Sequence, residues 1–260
     1  MDSQRFDHAI SLRDAGHFEE SLQELAALTE STIDPEEKAS LLANESTCLT
    51  ILGRLREARE RLSEAFRVAP RTQLLLYLEF ENAGLLTHEG RWDEALETLD
   101  CLRGEYSDLL ATPKYRELYE QIQIVRGTAL VSLARFQDAR TTLEECLLFP
   151  LTVTDQSHVL YNLGLCNMKL GEKERAKKAL GEALRSGLKA SDAVPAHYDL
   201  GVIFYGEKAY AKAMMEFEWC LAHVEEGQMP KNHICEWLAS TAYSLGMMDE
   251  YERYRKLAKE

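Results

Sequence analysis

The chain has 260 residues, with 40 Leu, 28 Ala and 32 Glu against only 8 Val and 7 Ile; strands favour β-branched residues and helices the other three, so an all-α fold is expected. Thirty Lys plus Arg against 44 Asp plus Glu give a formal charge of -14, which repels phosphate backbones and anionic lipid and sets aside nucleic acid and membrane surfaces as partners. No apolar run approaches the roughly 18 residues of a membrane span, and Met1 to Asp7 lacks a basic region followed by a hydrophobic one, so a cytoplasmic location is expected.

Apolar residues at helical spacing predict paired helices along the whole chain. The pairs are 2–15 with 18–31, 36–52 with 55–68, 71–89 with 92–105 and 114–133 with 136–148, followed by 153–170 with 173–186, 193–207 with 210–225 and 231–246 with 248–259. The turn inside each pair holds Gly16, Gly53, Gly90, Ala134, Gly171, Lys208 and Gly246, at intervals of 37, 37, 44, 37, 37 and 38 residues. Seven residues before each turn the occupant is small: Ala9, Ser46, Ala83, Gly127, Gly164, Gly201 and Ala239. Five after it stand Ser21, Ala58, Ala95, Ala139, Ala176 and Ala213, and nine after it Leu25, Leu62, Leu99, Leu143, Leu180 and Phe217. Small residues on two facing helices let their backbones approach, and the large residue fills the seam beside that contact. The last unit departs from both rules with Tyr251 and Arg255.

Proline breaks helix interiors, so prolines are expected only between units. Pro35, Pro70, Pro113, Pro150, Pro195 and Pro230 are all placed there by this register. The 44-residue interval carries seven extra residues around Arg103 to Tyr119, either a longer connection or a local projection that shapes a binding surface. The segment 247–260 is rich in charge, as a solubilising terminal cap would be.

This register resembles that of the tetratricopeptide repeat (TPR) family, whose units are helix–turn–helix pairs of about 34 residues. The likeness is strongest in Leu163-Gly164 with Ala176 and Ala183, and in Leu200-Gly201 with Ala213 and Phe217. It implies one solenoid domain over 1–260, a right-handed α-α superhelix of seven antiparallel helix hairpins with about 14 helices. It also implies that the first helix of each pair carries the ligand groove. By that register the groove candidates are Asn44, Phe80, Glu81, Tyr161, Asn162, Tyr198, Asp199, Glu236 and Trp237. Asn162, beside the Leu-Gly step, is placed to hydrogen-bond an extended ligand. Tyr161, Tyr198 and Trp237 stand either as aromatic contacts for a ligand or as packing. The acid-binding clamp of Lys, Arg and Asn found in some members is not reproduced, since Phe6, Ile10, Ala43, Asn44, Tyr77 and Glu81 occupy its places.

No catalytic motif stands out. The seven histidines form no H-E-x-x-H or i, i+4 pair, and no phosphate-binding glycine loop or nucleophile elbow is present. Carboxylate pairs such as Glu144-Glu145 and Glu225-Glu226 read as solvated helix faces. The six cysteines are scattered without C-x-x-C and read as reduced and mostly buried. No catalytic, metal or cofactor site is expected. The expected function is a non-enzymatic interaction scaffold that binds an apolar or basic extended protein segment, as a monomer or weak homodimer; the alternative is a self-associating regulatory or chaperone-like member.

Overall fold

The computed structural model describes residues 2–70, 73–188, 190–225 and 229–259, with Ala190 and Ser191 described by their backbone alone. Met1, Glu226 of the Glu225-Glu226 pair and Glu260 of the terminal segment lie outside the described residues. Among the described residues there are fifteen α-helices, one 3-10 turn and no strand. They form two compact units, Met1–Leu133 and Ala134–Glu260.

The first unit contains α1 (Ser3–Asp14), α2 (Phe18–Ser31), α3 (Pro35–Ile51), α4 (Leu55–Val68), α5 (Leu74–His88), α6 (Trp92–Glu105), the short α7 (Ser107–Leu110) and α8 (Arg116–Ser132). The second contains α9 (Phe136–Cys146), α10 (Val153–Lys169), α11 (Lys173–Arg185), α12 (Ala190–Gly206), α13 (Tyr210–His223), α14 (Lys231–Leu245) and α15 (Met248–Leu257). Three first helices begin on a side-chain cap that satisfies an orphan backbone donor. Asp2 accepts from the Arg5 N–H at 3.3 Å, Asp34 from Glu37 at 2.8 Å and Thr152 from Asp155 at 3.1 Å.

The second helix of each pair starts differently, from a tight turn with a left-handed residue. Every turn position of the register has positive φ: the five glycines at 74–87°, Ala134 at 57° and Lys208 at 62°. At six of them the hydrogen bonds are those of a Schellman cap. In the first, the Gly16 N–H reaches the Arg13 carbonyl and the His17 N–H the Leu12 carbonyl, both at 2.9 Å. Lys208 and Ala209 make the same pair of bonds to Tyr205 and Phe204.

The small-and-large seam is observed as read. Leu25, Leu62, Leu99, Leu143, Leu180 and Phe217 are all buried to 2 % exposure or less. A Cβ built on Gly164 would stand 2.6 Å from Leu180, and one on Gly201 2.6 Å from Phe217, so a hydrogen is all those two seams accommodate. Where serine replaces the small apolar residue it spends its hydroxyl across the seam: Ser21 Oγ donates to the Ala9 carbonyl at 2.8 Å and Ser46 Oγ to that of Ala58 at 2.9 Å.

Three features differ from the sequence reading. Pro195 lies inside α12, five residues after its start, because the helix begins at Ala190 instead of 193; past the first turn the proline removes one i→i−4 hydrogen bond of the helix. The seven-residue insertion is ordered as α7 followed by a 3-10 turn at Pro113–Tyr115, whose Tyr115 is 2 % exposed. In α15 the packing residue is Tyr254, one place before Arg255, 4 % exposed with its hydroxyl on Glu218 at 2.9 Å. A further residue was hidden in the charge pattern: Glu45 of α3 is 1 % exposed, held by the Thr29 hydroxyl and by Arg61 Nε at 3.2 Å. Burial pushes its carboxyl above the usual range, against those two partners. Five of the six free cysteines are buried and Cys101 is exposed.

Candidate functional site

The groove candidates occupy two adjacent places on the first helices, two and three residues before the small seam residue. In the first unit these places belong to a polar ladder across α1, α3 and α5. Arg13 Nη1 donates to Asn44 Oδ1 at 2.6 Å, and Asn44 Nδ2 to the Ser40 carbonyl at 2.9 Å. One helix further on, the Thr47 hydroxyl donates to Glu81 Oε2 at 2.6 Å. Burial raises the Glu81 carboxyl above its ordinary pKa, with the Thr47 hydrogen bond and the Arg13 charge pulling the other way. Phe80 is half-buried against the core of α5, α6 and α8.

In the second unit the candidates separate into two kinds. Asn162 is 4 % exposed, and its amide nitrogen lies 3.1 Å from the His158 carbonyl and 3.0 Å from His158 Nε2. That nitrogen bonds within α10, which leaves the Asn162 Oδ1 as the atom for an extended ligand. Trp237 is half-buried, with its indole N–H on the Tyr198 hydroxyl at 2.7 Å, its ring stacked 5.5 Å from Phe217 and the Tyr205 ring edge-on at 5.1 Å. Tyr198 in turn meets Phe217 edge-on at 5.8 Å. Of the two readings open for Trp237 and Tyr198, packing accounts for most of their surface and for their polar atoms. Glu236 is exposed on α14.

Tyr161 and Asp199 form the remaining part. Tyr161 is half-buried beside the core of α11 and α12, and burial, with the charges of Asp199 and Asp192, raises its phenol well above the usual range. Asp199 is half-buried on α12, and burial pushes its carboxyl up to about 6, opposed by Lys169. Among the described residues no hydrogen bond or ion pair engages the Asp199 carboxylate. Such a carboxylate is under-solvated and offset only by the Lys169 charge, a state that favours a further cation brought from outside.

A neighbouring cluster was not read from sequence. His197 Nδ1 lies 2.6 Å from Glu216 Oε2, and its ring stacks 3.8 Å from Trp219, which stacks 4.0 Å from His223. Trp219 and His223 are four apart on α13, a visible signal, whereas His197 comes from another helix. Among the described residues no group of His, Cys, Asp and Glu is arranged to hold a metal ion. No helix there is long and apolar enough to cross a membrane.

The family model for the N-terminal domain of EccA1, a protein of the ESX-1 type VII secretion system, matches residues 38–199. The chain belongs to this family. The match takes in Asn44, Phe80, Glu81, Tyr161, Asn162, Tyr198 and Asp199 and stops short of Glu236 and Trp237. No curated protein matches the chain. Among solved structures, a tetratricopeptide repeat protein from Parabacteroides merdae matches with a TM-score of 0.60 at 14 % identity, over 99 % of this chain and 91 % of that one. The quorum sensor NprR from B. thuringiensis, in its apo form, matches with 0.67 at 15 %, over 98 % and 85 %. PilF of Pseudomonas aeruginosa matches with 0.66 at 15 %, over 85 % and 90 %. At such identities the likeness is one of fold, and this EccA1 N-terminal-domain family member has the TPR-like helical repeat fold.

Proposed function

We propose that the chain is a non-enzymatic protein-binding module of a type VII secretion system, taking up an extended apolar or basic segment of a partner on the first-helix faces. The family match is what supports the secretion setting. The observation that carries the binding reading is Asp199, a half-buried carboxylate without a partner among the described residues, beside the Tyr161 ring. A Lys or Arg side chain, or a chain-terminal amine, would supply the missing charge, while the aromatic surface covers its apolar stem. Glu81 holds the equivalent register place in the first unit, and the chain's charge of -14 favours a basic ligand and opposes an acidic one. Titrating labelled peptides of matched length that are apolar, basic or acidic tests this. Basic and apolar peptides are expected to bind; preferential binding of the acidic set contradicts the proposal.

A further inference from the structure

The irregular interval of the repeat builds a second candidate site, separate from the first-helix residues just described. The seven extra residues, folded as α7 and the 3-10 turn, wall a cavity of about 650 Å³ together with the end of α6 and the start of α8. Leu110, Pro113 and Tyr119 give it an apolar wall, and its two charged groups are Arg103 and Arg116. No carboxylate lines it, although residues 1–133 carry 25 acids against 14 bases. Another cavity of this unit, about 450 Å³ between α5 and α6, has the opposite character. It is lined by Glu79, Glu94, Glu97 and Glu105, and both its arginines are held by Glu89, Arg91 by Glu94 as well.

Each arginine of the larger cavity keeps donors without a hydrogen-bond partner among the described residues. Arg103 Nε is buried without a hydrogen-bond partner among the described residues. The carboxylate nearest to Arg103, Asp100, is 3.6 Å from its Nη1 and is already bonded by Arg126 Nε at 2.7 Å. Arg116 spends its Nε on Glu120 at 3.0 Å, with its two Nη groups in no ion pair or hydrogen bond among the described residues. A guanidinium carries five donors in a fixed fork, and a buried donor without an acceptor calls for a group that supplies one. Forked donors are matched by planar or tetrahedral oxyanions, and the apolar wall by a short hydrocarbon body.

We propose that this cavity binds a carboxylate or phosphate carried on a short apolar body, with Arg103 and Arg116 as the anion-binding residues. The test is calorimetric titration of the full chain with hexanoate, hexyl phosphate and the neutral hexanamide, with backbone amide shifts mapping the contact. Saturable binding of at least one anion is expected, at least tenfold tighter than hexanamide and with shifts centred on residues 103–119. The preferred anion tells carboxylate from phosphate. Arg103→Gln and Arg116→Gln are each expected to weaken that binding about tenfold or more. Arg116 is 61 % exposed, so its variant keeps the test alive if Arg103→Gln fails to fold. Equal binding of hexanamide, an affinity unmoved by Arg116→Gln, shifts confined elsewhere, or no saturable binding of either anion overturns the assignment.

Discussion

Lys208 and Ala134 do what glycine does elsewhere in the register, holding a left-handed turn at φ 62° and 57°. An L residue with a Cβ pays roughly 1–2 kcal/mol in that conformation, and glycine gives back part of the difference by its greater freedom in the unfolded chain. Lys208→Gly is therefore expected to stabilise the fold by about 0.5–1 kcal/mol, read as a higher denaturation midpoint; a lower midpoint contradicts the turn geometry. Asp199 provides the second residue-scale prediction. Its folded pKa of about 6 exceeds the roughly 3.9 of an unfolded Asp, so the folded chain binds the proton more tightly. Between about pH 4 and 6 the native state holds more protons than the unfolded one, and this group's contribution to stability falls as pH rises. Asp199→Asn removes that loss. The variant is expected to be more stable than wild type at pH 7, by about 1–3 kcal/mol, with the gap closing toward pH 4; a gap independent of pH contradicts the burial of the carboxylate.

The helix pair is the level at which the sequence was most readable. Turn glycines, small seam residues and their large partners recur at fixed offsets, and each of those positions is placed by local backbone geometry that a periodic sequence reports directly. Helix ends at Phe18, Leu55, Trp92, Phe136, Lys173 and Tyr210 fall where the register predicted them. Pro195 and Tyr254 escaped it because each depends on a choice between neighbouring residues that periodicity does not make. The seam also predicts that one substitution has two signs. Gly164→Ala puts a methyl group 2.6 Å from Leu180 and is expected to cost about 1–2 kcal/mol, the overpacking penalty less the gain in helix propensity. Gly84→Ala, in the middle of α5 with nothing within 4 Å of the new Cβ, is expected to stabilise by up to about 1 kcal/mol. Chemical denaturation of the two variants checks the pair, and a stabilised Gly164→Ala contradicts the close approach of α10 and α11.

Over the whole molecule the charge is divided unevenly, 25 acids against 14 bases in residues 1–133 and 19 against 16 in residues 134–260. The candidate site was legible only in part. The register put the candidates at equivalent places on the first helices, but residue type alone did not distinguish Asp199, with no hydrogen bond or ion pair among the described residues, from Asn162 and Trp237, whose side-chain nitrogens bond within the protein. Those differences arise from His158 within the same helix and from Tyr198 on another, contacts that no single-position pattern records. The anion cavity was visible only as an interruption of the 37-residue period. Its two arginines gain meaning once α7 and the 3-10 turn bring them to one wall.

The central claim, that the first-helix face carrying Asp199 binds a basic segment of a partner, rests on one carboxylate and is tested most directly there. The decisive measurement is the affinity of a fluorescent lysine-bearing peptide for wild type and for Asp199→Asn, by anisotropy, from pH 5 to pH 7.5. Wild-type binding is expected to strengthen as pH rises through about 6, where the carboxylate ionises, and the variant to bind several-fold more weakly with a flatter profile. Equal affinity and identical pH profiles for the two proteins would contradict the account.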